Sequence, residues 1–369
     1  MIKILFTIPN FNTAGSGQAM LNIALGLNRE KFEPHIACKT NEGDFFKIVE
    51  QSGIQIHIFD YEPNARPIQR LLKESWKVSR ILKEINPSIV HSFHYNNNYP
   101  EAIAARLAGA KWIFTKKNMN WGNDGARSWR IRSALASRII TQNTEMQRRF
   151  YPKSTKTRLI ERGIDVNHFA PQAPNAVIRK AAETPIHARV IAMVANLVPV
   201  KGASFAIEAF FLLANSFPNW HLWIIGDNET QTGSKLMARV RIEKLEKRIH
   251  FIGKVQNVRQ YLDHAEIFLL PTRAAGEGSP VALIEAMANG KVVLGTEVPG
   301  ISDQLSRKPN HLVPAEDSAA LAKGLERFMK NDKETNKILG GSFQKFANAN
   351  YTIQREVKKH EQVYLELIN

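Results

Sequence analysis

Two glutamates, eight residues apart, are the side chains of this sequence best suited to chemistry. Glu277 lies in a Gly/Ser/Pro turn, and Glu285 is the only charged residue of the apolar run that follows. Carboxylates accept several hydrogen bonds, so the pair could hold the hydroxyl groups of a polyol. Two other interpretations are an acid/base pair for glycoside hydrolysis, or a Glu285 paired with a surface cation beside a solvated Glu277.

The residues between and after the two glutamates predict a helix over 280–289. Ser279 is a preferred N-cap, Pro280 a preferred first residue and Gly290 a preferred stop. The free N–H groups at such a helix start attract phosphate. Carboxylates beside a phosphate site fit a nucleotide sugar better than a polysaccharide, with Glu277 at the sugar and Glu285 at the ribose.

Two further loops carry candidate ligand contacts. Lys201 stands before a glycine and a predicted helix, an arrangement that suits a diphosphate. The surrounding sequence is not a G-x-x-x-x-G-K-[ST] loop, which disfavours a nucleotide triphosphatase. Gly15 and Gly17 precede another predicted helix and would let a ligand approach the backbone, although a flexible turn explains them equally well.

The histidines and the single cysteine are less informative. His94 ends a predicted strand and either contacts a ligand or is a satisfied structural histidine. His91 and His94 lack a third ligand at useful spacing, so a metal site is disfavoured. Cys38 is the only cysteine, which excludes a disulfide within the chain and favours a reducing compartment.

Positive charge is concentrated in one region of a chain whose net charge is +16. Residues 111–162 contain thirteen Lys or Arg and three Asp or Glu. Trp121, Trp129 and other apolar residues alternate there with basic ones, a mixture that suits an anionic membrane interface. The prediction is that Arg127, Arg130 and Arg132 face a membrane; a solvated basic face is the alternative.

The apolar pattern predicts two α/β domains with parallel sheets. Short apolar runs alternate with helix-period segments, as in sheets covered on both faces. The predicted strands are residues 3–9, 33–39, 54–60, 88–94, 111–116, 138–143, 189–196, 221–227, 249–254, 267–272, 291–296 and 310–315. A proline-containing stretch at 171–186 marks a domain boundary. Ligands of doubly wound domains bind at the carboxyl ends of strands.

Three segments make the chain resemble the retaining glycosyltransferases of family 4, which have the GT-B architecture. They are the E-x7-E pair of Glu277 and Glu285, "ANLVPVKG" ending at residue 202, and "RGIDVNHFAP" at 162–171. The resemblance covers essentially the whole chain. It implies two Rossmann-like doubly wound domains facing across a cleft. An acceptor-binding domain would span residues 1–170, a nucleotide-sugar-binding domain 171–349, and a C-terminal helix, 350–369, would return to the first domain.

The resemblance also implies roles for individual residues. The catalytic residues would be Glu277, near the transferred sugar, and Lys201, which would neutralise the diphosphate. The donor would be bound by Gly15, Gly17, Asn196, Lys201, Glu277, Gly278, Ser279, Pro280 and Glu285. Asn196 stands where an arginine is usual in the family. On the acceptor or sugar side the residues would be His94, Lys117 and Asn118, with Lys117 or Asn118 replacing the usual histidine.

The predicted function is a retaining, hexosyltransferase-type transfer from a nucleotide-diphosphate sugar to a lipid-linked or saccharide acceptor. Cell-envelope or surface polysaccharide and lipopolysaccharide biosynthesis is the expected setting. No D-x-D motif occurs, which favours metal-independent transfer without a cofactor. The predicted location is cytoplasmic and peripheral on the inner face of the membrane. The alternatives are a nucleotide-sugar epimerase and a basic nucleic-acid-binding protein, the latter without any recognised nucleic-acid-binding motif.

Overall fold

The structure is a computed structural model that describes residues 1–12, 14–63, 66–120 and 125–368. The described chain forms two compact units. The first contains Met1–Arg162 and the residues from Ile353 onward, and the second contains Gly163–Thr352. The sequence predicted the boundary between the two domains after residue 170, whereas the structure has it after Arg162.

The first unit is built on a seven-stranded parallel sheet with the order β3-β2-β1-β4-β5-β6-β7. All six strands predicted for this part of the chain are confirmed. The seventh was missed because its three residues include a single apolar side chain. The strands are β1 (Ile2–Thr7), β2 (Phe32–Cys38), β3 (Gln55–Ile58), β4 (Ile89–Ser92), β5 (Lys111–Lys116), β6 (Arg138–Thr141) and β7 (Thr157–Leu159).

Helices cover both faces of this sheet. They are α1 (Ala14–Gly26), α2 (Asp44–Glu50), α3 (Ile68–Ile85), α4 (Pro100–Leu107), α5 (Ala126–Leu135) and α6 (Thr144–Phe150). The longest of them, α3, buries Leu71, Val78 and Leu82 and leaves Leu72 and Trp76 62% and 55% exposed. It therefore carries two apolar rows, of which only one belongs to the core.

The second unit is built on a six-stranded parallel sheet with the order β10-β9-β8-β11-β12-β13. Its strands, all predicted, are β8 (Arg189–Val194), β9 (Trp220–Ile225), β10 (Ile249–Gly253), β11 (Ile267–Leu270), β12 (Val292–Thr296) and β13 (Leu312–Val313). Its helices are α7 (Ala176–Ala181), α8 (Ala203–Ala214), α9 (Gln231–Ile242), α10 (Val258–Leu262), α11 (Val281–Ala288), α12 (Ile301–Gln304), α13 (Ser318–Met329) and α14 (Lys333–Asn350). Short 3-10 helices lie at Pro199–Lys201 and Pro309–His311.

The last helix, α15 (Ile353–Ile368), belongs to the first unit and packs against α1. Gly26 of α1 leaves room for Val357, since a Cβ at Gly26 would lie 2.7 Å from a Val357 methyl group. Tyr364 is fully buried, and its hydroxyl lies 2.8 Å from His91 Nδ1 of β4. The helix thus completes the core beside the first sheet.

Strand order reverses beside β1 in the first sheet and beside β8 in the second. Loops after the strands on either side of such a reversal diverge and leave a crevice at the carboxyl edge of the sheet. The loops after β1, β4, β8 and β11 are therefore the places where this fold can bind a ligand. Within the described ranges, no helix is both long and apolar enough to cross a bilayer.

Candidate functional site

Lys201 is positioned by a close crossing of two loops at the carboxyl edge of the second sheet. It ends a 3-10 helix after β8, and the next residue, Gly202, has a φ of +70°. A Cβ at Gly202 would lie 1.9 Å from the carbonyl oxygen of Pro271, in the loop after β11. Glycine is therefore required where the loops cross, and the crossing brings Lys201 beside the β11 loop.

Glu277 is held by two side chains of this same edge. The Lys201 ammonium forms an ion pair with Glu277 Oε2, and the Thr272 hydroxyl donates to Oε1 at 2.6 Å. The Thr296 hydroxyl donates in turn to the Thr272 carbonyl at 2.5 Å. A hydrogen-bonded chain therefore runs from β12 through Thr272 to Glu277 and fixes its carboxylate.

Sequence reasoning did not identify the two threonines. Each stands at the carboxyl end of a predicted apolar strand, in "FLLPT" and "VVLGT". A hydroxyl at that position of a parallel sheet is a signal for a residue that orients a neighbouring loop. The alternative interpretation of Glu277, a solvated turn residue, is wrong, because only 14% of its side chain is exposed.

Glu285 lies inside α11, whose apolar face packs Leu283, Ile284 and Ala286 into the core. Its carboxylate is partly exposed and has no hydrogen-bond or ion-pair partner in the part of the chain that the structure describes. Burial raises the pKa of this carboxyl to about 7. The alternative interpretation, in which Glu285 pairs with a surface cation, is therefore wrong, and the carboxylate remains available to accept hydrogen bonds from a ligand.

The start of α11 differs by one residue from the prediction. The helix begins at Val281, with Pro280 at the N-cap position and no side-chain cap there, so Ser279 is not the N-cap. Instead, the Ser279 hydroxyl accepts a hydrogen bond from Gln304 Nε2 at 3.1 Å. Gly290 ends the helical segment with a φ of +70°, as predicted.

The backbone of Glu277 and Gly278 is packed against the loop after β12. The Glu277 N–H donates to the Pro299 carbonyl at 3.0 Å. A Cβ at Gly300 would lie 2.7 Å from the Glu277 carbonyl oxygen and 2.9 Å from that of Gly278. The segment before α11 is thus fixed on one side, where another strand's loop touches it.

Asn196, which follows β8, is exposed and introduces no positive charge. Its side-chain oxygen accepts a hydrogen bond from the Asp227 N–H at 3.3 Å. Lys201, and not Asn196, therefore supplies a positive charge at Glu277. Within the described ranges, no three His, Cys, Asp or Glu side chains are grouped so that they could hold a metal ion.

A second polar cluster lies at the carboxyl edge of the first sheet. Lys117, after β5, donates to the Ser16 hydroxyl at 3.1 Å and to the Phe93 carbonyl, and its ammonium lies 3.6 Å from the centre of the Tyr95 ring. The Tyr95 and Ser16 hydroxyls are 2.8 Å apart. Burial holds the pKa of Lys117 well below its ordinary value. Sequence reasoning identified Lys117 but not Ser16 or Tyr95, although each lies beside a residue that it did single out.

Asn118 is engaged differently from Lys117. The buried ammonium of Lys116 donates to the side-chain oxygen of Asn118, to its carbonyl at 2.7 Å and to the Asn120 carbonyl at 2.6 Å. Burial lowers the pKa of Lys116 to about 7. Asn118 therefore closes the turn after β5 around Lys116, and Lys117 is the residue that joins the Ser16–Tyr95 cluster.

The two glycines after β1 lie within the first turn of α1, not before the helix as predicted. A Cβ at Gly15 would meet no atom within 4 Å, so this position is open. A Cβ at Gly17 would lie 2.9 Å from the Phe11 ring and 3.0 Å from that of Phe45. Gly17 is therefore required by packing, and Gly15 alone leaves the backbone accessible.

His94 is a satisfied structural histidine, which was one of its two predicted roles. It is buried, with Nε2 3.0 Å from Glu101 Oε2 and Nδ1 3.5 Å from Glu62 Oε1. The Thr7 hydroxyl donates to the other oxygen of Glu101. The expectation that His94 points into an open site at the acceptor or sugar side is therefore wrong.

Arg132 is fully buried, so the prediction that it faces a membrane is wrong. Its guanidinium donates to the carbonyls of Asn96 at 3.1 Å and Asn98 at 2.9 Å. It also stacks 4.6 Å above the Phe114 ring and 5.3 Å from the Trp129 ring, which is itself buried. The charge is compatible with the core because aromatic rings and carbonyl oxygens surround it.

The other membrane candidates of this region fall into two groups. Arg127 and Arg130 of α5 are exposed, as a membrane-facing role requires. Trp121, which the sequence placed among the interfacial residues, lies outside the described residues.

Comparison with known proteins gives matches over both halves of the chain. The family model described as Glycosyltransferase Family 4 matches residues 13–168, and that described as Glycosyl transferases group 1 matches residues 188–331. A capsular polysaccharide biosynthesis glycosyltransferase of Staphylococcus aureus, CapH, is 25% identical over 316 residues, covering 81% of this chain and 82% of CapH.

Two solved structures have the same fold. A glycosyltransferase from Rickettsia africae superposes with a TM-score of 0.87 at 17% identity, over 100% of this chain and 99% of the other. Anabaena HepE in complex with UDP and glucose gives a TM-score of 0.81 at 20% identity, over 100% of both chains. The predicted fold class, two Rossmann-like domains of the GT-B type, is confirmed.

Proposed function

The chain belongs to glycosyltransferase family 4, and from that premise we propose that it transfers a sugar from a nucleotide-diphosphate sugar to an acceptor hydroxyl, with retention at the anomeric carbon. The observation that carries this proposal is the arrangement of Lys201, Glu277 and Glu285 at one sheet edge. A cation, a fixed carboxylate and an unpartnered carboxylate match the diphosphate, sugar and ribose of such a donor. Neither the epimerase nor the nucleic-acid-binding alternative is favoured.

Glu285 binds the ribose in this proposal. An ionised carboxylate without a partner gains most from hydroxyl donors, because burial has removed part of its hydration. Two vicinal hydroxyls can donate to its two oxygens. The nucleoside would then lie along the open side of α11.

Lys201 and Glu277 act on the leaving group and the sugar. In the free protein the two side chains are paired. A diphosphate beside Lys201 would compete for the ammonium and leave Glu277, still held by Thr272, to accept from a sugar hydroxyl. Fixed charges around the departing diphosphate supply the electrostatic stabilisation on which such transfer depends. The backbone of Gly278, Ser279 and Pro280 and the side chain of Asn196 complete the donor site.

The first unit supplies the acceptor side in this proposal. Lys117, with Ser16 and Tyr95, offers an amino group and two hydroxyls at the carboxyl edge of the first sheet. Gly15 leaves the start of α1 accessible on the same edge. Lys117, not Asn118, replaces the histidine that is usual in the family, because Asn118 is occupied by Lys116.

We place the reaction in cell-envelope or surface polysaccharide assembly, with a lipid-linked or saccharide acceptor. The capsular polysaccharide relative supports this setting. The donor is a substrate, and no resident metal or cofactor is part of the proposal.

A thermal-shift screen with UDP-, GDP-, ADP- and TDP-sugars tests the proposal. A donor at a hundred times its Kd stabilises the folded protein by about 2.7 kcal/mol. UDP-sugars come first, since a structure of similar fold holds UDP and glucose. Glu285→Ala is expected to abolish the shift, whereas Glu277→Ala should retain it and lose turnover. Absence of a shift with every donor contradicts the proposal, as does wild-type behaviour of both variants.

A further inference from the structure

A cavity of about 820 Å³ lies in the second unit, at the sheet edge opposite to Glu277. Its walls come from α7, from the residues just before β11 and β12, and from the first turn of α14. The amino ends of the strands therefore face it, and it is separate from the donor site proposed above. Five basic residues line it: Arg179, Lys180, Lys291, Lys333 and Lys337.

The two carboxylates in the cavity wall are already neutralised. Asp263 accepts from Arg259 at 2.8 Å, from the Asn289 amide at 2.9 Å and from the Gln172 N–H at 3.0 Å. Glu266 accepts from Arg189 through both of its oxygens. Each acid is paired with an arginine, and neither forms an ion pair with a lysine of the cavity.

Arg179 is also satisfied within the protein. Its guanidinium donates to the carbonyls of Pro185 at 2.5 Å, Ile186 at 3.2 Å and Ala188 at 3.0 Å. It closes one wall of the cavity by holding the loop before β8. Lys337 lies 3.6 Å from Glu334, so the positive charge that remains available to a ligand comes from Lys180, Lys291 and Lys333.

Lys291 is the lysine with the strongest reason to bind an anion. It lies between α11 and β12 and is only partly exposed, and its side-chain ammonium has neither an ion-pair nor a hydrogen-bond partner among the residues that the structure describes. Burial lowers the pKa of its ammonium to about 8, although Asp263 and Glu266 raise it. Removing an ammonium from water without a partner is unfavourable, and an anion in the cavity would relieve that cost.

We propose that this cavity binds a small organic anion, with its phosphate or carboxylate group at Lys291 and its body against Ile186 and the neighbouring alanines. Lys180 and Lys333 are exposed and have no ion-pair partner in the described chain, so they add positive charge around the opening. The site goes beyond glycosyl transfer, because it shares no residue with the donor site. A phosphorylated sugar and a sugar acid both have this chemistry.

Isothermal titration of the full chain at constant ionic strength tests the site. The probes are glucose 6-phosphate, glucuronate and inorganic phosphate, with neutral glucose as the uncharged control. At least one of the organic anions is expected to bind with a one-to-one stoichiometry, and glucose is not. Binding of glucose 6-phosphate would show that the site takes a phosphate group, and binding of glucuronate that it takes a carboxylate. Binding of none of the anions, or equal binding of glucose, overturns the proposal.

Three variants separate this cavity from the donor site. Lys291→Met keeps the volume of the side chain and is expected to weaken binding tenfold or more, as loss of a charge-assisted hydrogen bond does. Lys345→Met, at an exposed position of α14 outside the cavity, is the matched control and should leave binding unchanged. Lys201→Met should also leave it unchanged.

Loss of binding in Lys201→Met with retention in Lys291→Met would assign the anion to the donor site and overturn the proposal. Thermal unfolding of each variant confirms that it is folded. A fourth variant, Lys180→Met with Lys333→Met, changes exposed side chains only and is expected to weaken binding without altering the thermal transition. If no anion binds in the cavity, the thermal shift produced by a nucleotide sugar should be unaffected. The two proposals can therefore be refuted independently.

Discussion

A carboxylate with no cation beside it, such as Glu285, is easier to bury protonated than ionised. Its pKa of about 7 in the fold lies above the ordinary value of 4.5. The unfolded chain therefore releases this proton at lower pH than the folded one. Stability is lost as pH rises between about 4.5 and 7, and the loss is complete above pH 7.

Glu285→Gln is accordingly expected to stabilise the free protein at neutral and higher pH. At pH 8 the free energy of unfolding should rise by about 2 kcal/mol, a value reduced for partial exposure, and at pH 5 by under about 1 kcal/mol. Urea unfolding at the two pH values, without nucleotide, measures the difference. An equal effect at both would show that the carboxylate is not the cause.

Thr272 gives a prediction about the orientation of Glu277. Thr272→Val keeps the shape of the side chain and removes its hydrogen bond to the carboxylate. We expect kcat to fall about tenfold while donor affinity stays within about twofold, because Lys201 and Glu285 remain. Thr272→Ser restores the donor and should restore kcat. An unchanged kcat, or no rescue by serine, would show that the contact does not orient Glu277.

At the residue scale, the sequence predicted which residues belong to the site better than it predicted the side chains that surround them. Glu285 was identified because it is the only charged residue of an apolar helix, and a charge in such a position is unfavourable unless it binds something. Arg132 was misjudged and the role of His94 was left open, because the Phe114 ring beside Arg132 and the Glu101 carboxylate beside His94 come from other elements. The Lys201–Glu277 pair was not foreseen either, since seventy-six positions separate the two residues.

Among the elements, the start of α1 offers a matched pair of substitutions. Gly17→Ala places a methyl group against Phe11 and Phe45 and should lower the free energy of unfolding by about 1–3 kcal/mol. Gly15→Ala meets no neighbour and should leave stability unchanged or raise it by about 0.5–1 kcal/mol. Urea unfolding measures the free energy of unfolding of both variants. Equal changes in the two would contradict the packing argument.

Helix α3 gives a prediction about membrane attachment, which we propose for this protein. Its exposed Leu72 and Trp76 lie one turn apart, and the Arg80 guanidinium lies 5.3 Å from the Trp76 ring. Lys73 and Lys77 are exposed beside them. Apolar side chains next to a basic row match the interface of an anionic membrane.

Leu72→Glu with Trp76→Glu is therefore expected to abolish sedimentation with anionic liposomes, and Arg127→Glu with Arg130→Glu to weaken it. Leu212→Glu, at a position of α8 that is 63% exposed, is the control and should bind normally. Arg132 is left unchanged because it is buried. Equal binding of the α3 variant and the control would refute attachment through this helix.

The strands were the most predictable elements. Each predicted run became a parallel strand, and most of these strands are buried, since apolar runs suit sheets covered on both faces. The edge strand β3 is the exception, with no buried residue. The start of α11 was less predictable, because a preferred N-cap such as Ser279 also hydrogen-bonds elsewhere, here with Gln304. Capping preferences are local, whereas the loop after β11 is fixed by its contacts with β8 and β12.

For the whole molecule, the two units differ in continuity along the chain. The second is a single segment, Gly163–Thr352, whereas the first needs α15. Residues 163–352 are expected to fold alone with a cooperative thermal transition. Residues 1–162 alone should bind a dye for exposed apolar surface, since Tyr364 and Val357 would be missing.

Joining residues 353–368 to 1–162 through a flexible linker is expected to restore a cooperative transition. Circular dichroism and dye fluorescence of the three fragments measure this. A stable, dye-free fragment 1–162 would show that α15 is dispensable. Only the resemblance to family 4 predicted that this helix returns to the first domain, because the sequence of an amphipathic helix does not specify which sheet it covers.

The placement of α15 also affects how the protein is made. During synthesis, residues 1–162 leave the ribosome well before α15 exists. At 5–20 residues per second the interval is on the order of ten to forty seconds. Throughout it the groove beside α1, where Val357 will sit, stays open to water or to a chaperone. A nascent chain that stops before Ile353 would keep that groove exposed, a feature by which quality control could recognise it as unfinished.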